Sequence, residues 1–158
     1  MRVLGIDPGL RIAGYGCVEF TTNSSEIKLI EAGAIRMKTK ETISFRITQL
    51  YDGINEIITD LNPDILAVET IFTHSKQVST ATIMGHARGV ILLAGQKASI
   101  PLVELTPAEI KKAVSGNGRA TKEQVQLSVM TFLGLKKAPE PLDVSDALAI
   151  AITASVRI

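Results

Sequence analysis

Residues 1–10 read MRVLGIDPGL, and the way this stretch ends decides how the rest of the chain is arranged around it. Val3, Leu4 and Ile6 are apolar at spacings too tight for one face of a helix, which predicts a buried strand that starts almost at the N-terminus and runs into Asp7. Pro8-Gly9 ends it, because Pro has no amide proton for a ladder and Gly accepts turn geometry. A carboxylate on the last residue of a buried strand points out of the sheet toward a crevice, where open α/β sheets place their chemistry. Asp before Pro-Gly is also an ordinary turn initiator, so Asp7 keeps two readings until its companions are found.

Working outward, residues 11–20 and 27–37 read as two more strands, joined as a hairpin by the polar turn Thr21-Thr22-Asn23-Ser24-Ser25. Gly14 and Gly16 are expected to loosen the first of them. From residue 41 the period changes. Ile43, Ile47, Leu50, Ile54, Ile57, Ile58 and Leu61 recur at three and four residues, one apolar helix face that Asn62-Pro63 stops. Residues 65–68 then form a short buried strand ending at Glu69, which repeats the Asp7 arrangement. A long helix is predicted over 75–97. Within it Ala81, Gly85 and Gly89 recur every fourth residue, and this stripe has two open readings, an intramolecular contact or the seam of a dimer.

A strand over 102–105 follows Pro101. Thr106-Pro107-Ala108-Glu109 opens a helix with a Thr cap, Pro at its first position and Glu at its third. Residues 115–120 (SGNGRA) form a loop, and Thr121 with Gln124 caps the next helix. Pro139 and Pro141 break the chain before a last helix over 143–156. The expected fold class is therefore α/β, a mixed sheet of about five strands flanked by helices, organised as one domain over residues 1–158.

Composition narrows the function classes. A chain of 158 residues with 46% hydrophobic residues and positive mean hydropathy can bury a full core, and with 4% aromatics and no Trp that core is aliphatic. Apolar runs such as 90–94 are too short to span a bilayer and the N-terminus does not resemble a signal peptide, which places the protein in the cytoplasm. Cys17 is the one cysteine, a packed thiol with no disulfide partner, and His74 and His86 are too few for the common zinc sites. Any metal here is held by oxygen. Net charge is +1, yet residues 107–137 carry a local +4 while residues 1–80 carry −2, so one basic segment sits on a mildly acidic body. That suits a phosphate-contacting face, as it would also suit a solvated helix pair.

Asp143 and Asp146 are three apart and share a helix face. Acids at a helix start are favoured by the macrodipole alone, by about 0.3–1 kcal/mol, which is their plain reading. Asp146, however, leads directly into the apolar run Ala147–Ile152 and so belongs to a packed helix end. If that helix lies beside the strands ending in Asp7 and Glu69, four carboxylates meet. Close anions raise one another's proton affinity unless cations are present, and two Mg²⁺ ions, with Mn²⁺ as a substitute, would relieve them and bridge a phosphate.

GIDPGL with Asp7, Ala67-Val68-Glu69 with Phe72 three residues on, the basic SGNGRATKEQVQ segment, and DVSDALAIA over 143–151 together closely resemble the RuvC-type Holliday junction resolvases, across essentially the whole chain. The resemblance implies an RNase H-like fold, a homodimer, metal-dependent nicking of two opposed strands at four-way DNA junctions in recombination and repair, and cooperation with branch-migration proteins of the RuvA/RuvB type. It puts the catalytic, metal-holding acids on Asp7, Glu69, Asp143 and Asp146 and a catalytic lysine on Lys122. Lys111 matches a second lysine near the scissile phosphate, and Lys112 and Arg119 are candidate DNA backbone contacts. Phe72 would contact unstacked bases, and a Phe tucked into the core is its other reading. Competing classes are an RNA-directed RNase H-like nuclease of the YqgF type, an actin-like ATPase and a non-catalytic junction-binding module. The basic segment and Phe72 argue against the first, chain length and the lack of a second Gly-rich loop against the second, and the complete acid set against the third.

Overall fold

The strand read from the first ten residues is β1 (Arg2–Asp7), and it becomes the middle of the sheet. The computed structural model describes residues 1–21, 26–70 and 78–158. After β1 come β2 (Ile12–Phe20), β3 (Ile27–Arg36), α1 (Ile43–Leu61), β4 (Ile65–Glu69), α2 (Val78–Lys97), β5 (Leu102–Leu105), α3 (Pro107–Ser115), α4 (Lys122–Leu133) and α5 (Leu142–Arg157). The strands lie in the order β3-β2-β1-β4-β5. The β1–β2 and β2–β3 pairs are antiparallel and the β1–β4 and β4–β5 pairs parallel, each parallel step crossing through a helix. This is the mixed α/β sheet expected. Residues 22–25 of the expected hairpin turn and residues 75–77 of the expected long helix lie outside the described residues, and the last helix starts one residue earlier than read, at Leu142.

Because strand side chains alternate, the sheet sorts its residues between two layers. Leu4, Ile6, Leu66 and Val68 pack with Leu50, Ile54 and Ile91 of α1 and α2. Val3, Ile65, Ala67 and Leu105 pack on the other side with Leu148, Ile150 and Ile152 of α5 and with Ile110 and Val125 of α3 and α4. Asp7 and Glu69 follow this second parity. Cys17 is buried and free, as expected. Both Thr-led capping boxes read from the sequence are present, Thr106 with Glu109 and Thr121 with Gln124. Among the described residues no helix is long and apolar enough to cross a membrane.

Helix α5 is buried at Val144, at Ser145 and from Ala147 through Ser155, so it is apolar on almost every side. The hydroxyls of Thr153 and Ser155 are satisfied inside the helix by the Ala149 and Ala151 carbonyls, at 2.7 and 2.9 Å. What lets the helix lie so low is the absence of side chains beneath it. Gly5 pairs with Gly16 and Gly14 with Asp7 across the β1–β2 ladder. A Cβ on Gly5 would stand 2.3 Å from the Ala147 carbonyl oxygen, one on Gly14 2.0 Å from the Asp143 carbonyl oxygen, and one on Gly16 2.5 Å from Leu148 Cδ2. The pairing of β2 with β3 shifts register just after Gly16, between Cys17 and Val18, yet the strand runs over nine residues, and the main use of Gly14 and Gly16 is as the bed on which α5 rests.

Candidate active site

Ile6 pairs with Val68 on the adjacent parallel strands, so Asp7 and Glu69 end β1 and β4 side by side. The start of α5 comes to the same edge because the Asp143 backbone settles over Gly14, the residue opposite Asp7. Asp146, less than one helical turn further on, looks into the same space. Asp7, Glu69, Asp143 and Asp146 all line one cavity of about 810 Å³, together with Lys111 and Lys122. The four acids, drawn from three separate parts of the sequence, line this one cavity.

The electrostatics follow from crowding. Asp7 is pushed up to about 8, chiefly by burial and then by the charges of Asp146, Asp143 and Glu69, with Lys122 opposing. Glu69 is raised by burial first and by Asp146 next, while Lys122 and Lys111 pull it down. Asp146 is raised because its burial outweighs the neighbouring Lys122. Lys122 Nζ stands 3.4 Å from Asp146 Oδ2, and the attraction of Asp146 holds the ammonium protonated. The lysine side chain is 66% exposed, so this pair adds little to stability and leaves the ammonium free to meet an incoming anion.

Those properties fit an oxygen-liganded divalent cation. The donors are carboxylates only, and a cation offsets both the burial and the repulsion that favour the protonated forms of Asp7, Glu69 and Asp146. Among the described residues no group of three or more such side chains is already gathered closely enough to hold an ion. The acids share a cavity and feel one another's charge without forming a closed cage.

Of the remaining candidates, Lys111 lines the cavity, whereas Lys112 and Arg119 are exposed and do not. Phe72 lies outside the described residues. Three arginines were missed by the sequence reading. Arg11 and Arg46 line the cavity. From α1, Arg46 donates Nε to the Leu10 carbonyl at 2.6 Å and a second N–H to the same oxygen, which fixes the turn after Asp7. From α2, Arg88 donates Nε to the Glu69 carbonyl at 3.4 Å and pairs with Glu104 of β5. Both acid-bearing strand ends are thus gripped from the opposite layer. A signal existed, since Arg46 stands four residues before Leu50 and Arg88 three before Ile91, each a charge within an apolar helix stripe.

A family model described as "Crossover junction endodeoxyribonuclease RuvC" matches residues 3–154. Proteins with that description from Desulforamulus reducens and Moorella thermoacetica are each 46% identical to this chain over 152 residues, covering 96% of it and 91% and 89% of their own lengths. Thermus thermophilus RuvC superposes with a TM-score of 0.88 at 34% identity over 98% of this chain and 93% of its own, and the same protein solved in complex with a Holliday junction substrate gives 0.90. The mixed sheet with its flanking helices is the RNase H-like fold of that neighbour. The yeast mitochondrial Holliday junction resolvase Ydc2, with a TM-score of 0.66 at 14% identity, shares the fold.

Proposed function

Because this chain belongs to the RuvC family of crossover junction endodeoxyribonucleases, we propose that it resolves four-way DNA junctions by hydrolysing one phosphodiester in each of two opposed strands. The observation that carries the reading is the cavity in which Asp7, Glu69, Asp143, Asp146 and Lys122 meet at the ends of β1, β4 and α5. The whole chain, residues 1–158, works as one nuclease domain in the cytoplasm.

The four acids are the residues that would hold the divalent metal, a pair of Mg²⁺ ions or Mn²⁺ in their place, which when bound supplies Lewis-acid charge to the attacked phosphate and to the leaving oxygen. Asp7 and Glu69 come from adjacent strands and are fixed by the sheet ladder, whereas Asp143 and Asp146 come from a helix whose backbone is pinned on glycine. This rigidity matters because a misplacement of about 1 Å costs on the order of a hundredfold in rate. All four acids are half-buried, so each keeps part of its face open to the cavity. Lys122 keeps its proton beside Asp146 and presents a positive charge at the exposed mouth of the cavity, where the scissile phosphate arrives and gains charge as water attacks phosphorus in line. Lys111, on the neighbouring wall, lowers the proton affinity of Glu69 and Asp146 and so helps keep them ionised.

One site cuts one strand, and paired cuts need two sites related by a twofold axis, so a homodimer is part of the proposal. The face of α2 bearing Gly85 and Gly89 is available for it: both are exposed, and nothing lies within 4 Å of a Cβ built on either. Branch-migration proteins of the RuvA/RuvB type are the expected partners that deliver the junction.

The experiment is nicking of a synthetic four-way junction, with linear duplex and structured RNA as competitors. The native chain should make symmetric nicks in the junction with Mg²⁺ and none in EDTA. Asp7→Asn, Glu69→Gln, Asp143→Asn and Asp146→Asn should each fold, bind the junction and fail to cut. Equal cleavage of plain duplex or RNA overturns the reading, and near-normal nicking by any one variant removes that residue from the site.

A further inference from the structure

The cavity has two margins, and only one of them was legible as basic. Lys111 and Lys122 form the first. The second is built where β2, β3 and α1 meet. Arg11 and Arg46 line the cavity there, and Arg36, Lys38 and Lys40 are exposed beyond them. These residues are contiguous. Arg36 pairs with Ile12 in the β2–β3 ladder, the Met37 amide donates to the Arg11 carbonyl at 3.1 Å, Lys38 Nζ stands 5.9 Å above the Phe45 ring, and Arg46 grips the Leu10 carbonyl. Residues 36–46 hold four of these bases against one acid, Glu41, although residues 1–80 as a whole are net acidic.

Among the described residues none of Arg11, Arg36, Lys38, Lys40 and Arg46 has an ion-pair partner, a state they share with Lys111, Lys112 and Arg119 of the other basic segment. The N-terminus of α1 adds to the local field, since its first turn contains no acid. Phe45, 43% exposed, sets an aromatic ring among the charges. Such a cluster repels itself, and a surface that keeps it unpaired is suited to a partner with dense, regular negative charge.

We propose that Arg11, Arg36, Lys38, Lys40 and Phe45 form a second DNA-contacting surface, which takes the sugar-phosphate backbone of the junction arm on the side of the cleft opposite Lys111 and Lys122. This rests on the nuclease reading and extends it. A strand drawn across four carboxylates is repelled by them, and bases on both banks hold it in place until the phosphate is seated. The contact is to backbone, so it positions DNA without reading its sequence.

The test is a salt titration of binding, by anisotropy of a labelled four-way junction in EDTA between about 50 and 200 mM salt. Removing one phosphate-binding base should reduce the slope of log K against log salt by about one. The triple variant Arg36→Gln/Lys38→Gln/Lys40→Gln should lower the slope by about two to three and weaken binding at least about tenfold at the low-salt end, with an unchanged melting temperature. Lys97→Gln, an exposed base at the far end of α2, should leave the slope as it is. If the triple variant does not fold, Lys38→Gln and Lys40→Gln singly should each take about one from the slope. An unchanged slope in folded variants, or a drop in affinity at constant slope, overturns the proposal. The same titration on linear duplex separates the two ideas: absence of any preference for the junction counts against the nuclease reading, whereas the slope difference reports on this surface with either DNA.

Discussion

Helices α5 and α2 both carry small residues at helical spacing, and the structure puts those residues to opposite uses. In α5, Ala147 and Ala151 sit directly over Gly5, so the helix backbone meets the strand backbone with no side chain between. In α2 the buried side is Ala87, Val90, Ile91 and Ala94, while Gly85 and Gly89 face outward in line with exposed Leu93. A small-residue stripe therefore encodes a capacity for close approach and nothing about the partner. The partner is encoded elsewhere, as a second set of missing side chains. For α5 that set is Gly5, Gly14 and Gly16 on paired strands; for α2 none exists among the described residues of this chain.

The most severe way to break the α5 side is Gly14→Ala. Its methyl would collide with the Asp143 carbonyl and lift the first turn of α5 from Asp7, so we expect nicking below detection and a drop of about 3 kcal/mol in urea denaturation, the upper end of what overpacking costs. Native stability with native cleavage would show that α5 can shift off its seat without harm. Next comes Lys122→Ala, which removes the one cation that reaches from exposed α4 to the acids of α5. Loss of a single electrostatic stabiliser should lower the single-turnover rate on saturating junction by about a hundredfold, with affinity less affected. A normal rate at saturation would make Lys122 a solvated lysine.

Asp7→Asn sharpens the comparison by exposing the charge cost of seating α5 where it is. The folded chain binds the Asp7 proton up to about 8, against an ordinary value of 3.8, so without metal the fold loses stability as pH climbs through that interval. In EDTA at pH above 8 the variant should be more stable than the native chain, by on the order of 1–3 kcal/mol, and this advantage should vanish near pH 4. Added Mg²⁺ should raise the melting temperature of the native chain more than that of the variant. Thermal melts across pH decide it. The smallest effect belongs to α2. Gly85→Ala and Gly89→Ala should each stabilise a dilute monomer by about 0.5–1 kcal/mol through helix propensity, while weakening self-association measured by sedimentation. Unaltered association would take the seam away from this face.

Much of this was legible in the sequence for local reasons. The acids at Asp7 and Glu69 stood out because each ends an apolar run of strand length, and the capping boxes at Thr106 and Thr121 because their spacing is fixed by a single turn of backbone. Gly14 and Gly16 were misjudged, since a strand read alone shows only the propensity cost of glycine and not the helix that rests on it. Arg46 and Arg88 were passed over for a related reason. Their partners are main-chain carbonyls at Leu10 and Glu69, which no side-chain pattern announces. The second basic margin was hidden by summing charge over residues 1–80, where the acids of α1 and the sheet ends mask five bases that the fold collects at one corner.

The position of α5 has a consequence for how such a chain becomes dangerous to DNA. Helix α5 packs against β1 and β2 as well as β3, β4 and β5, yet it is the last element in chain order. A polypeptide synthesised only as far as α4 has Asp7 and Glu69 but neither Asp143 nor Asp146, and one face of its sheet is uncovered. Contacts this distant in sequence form late and slowly, because the long loop must close before they return any energy. On the site proposed above, cutting requires α5 in its seat, and a chain that stops at α4 leaves uncovered the sheet face that α5 packs on, which favours aggregation.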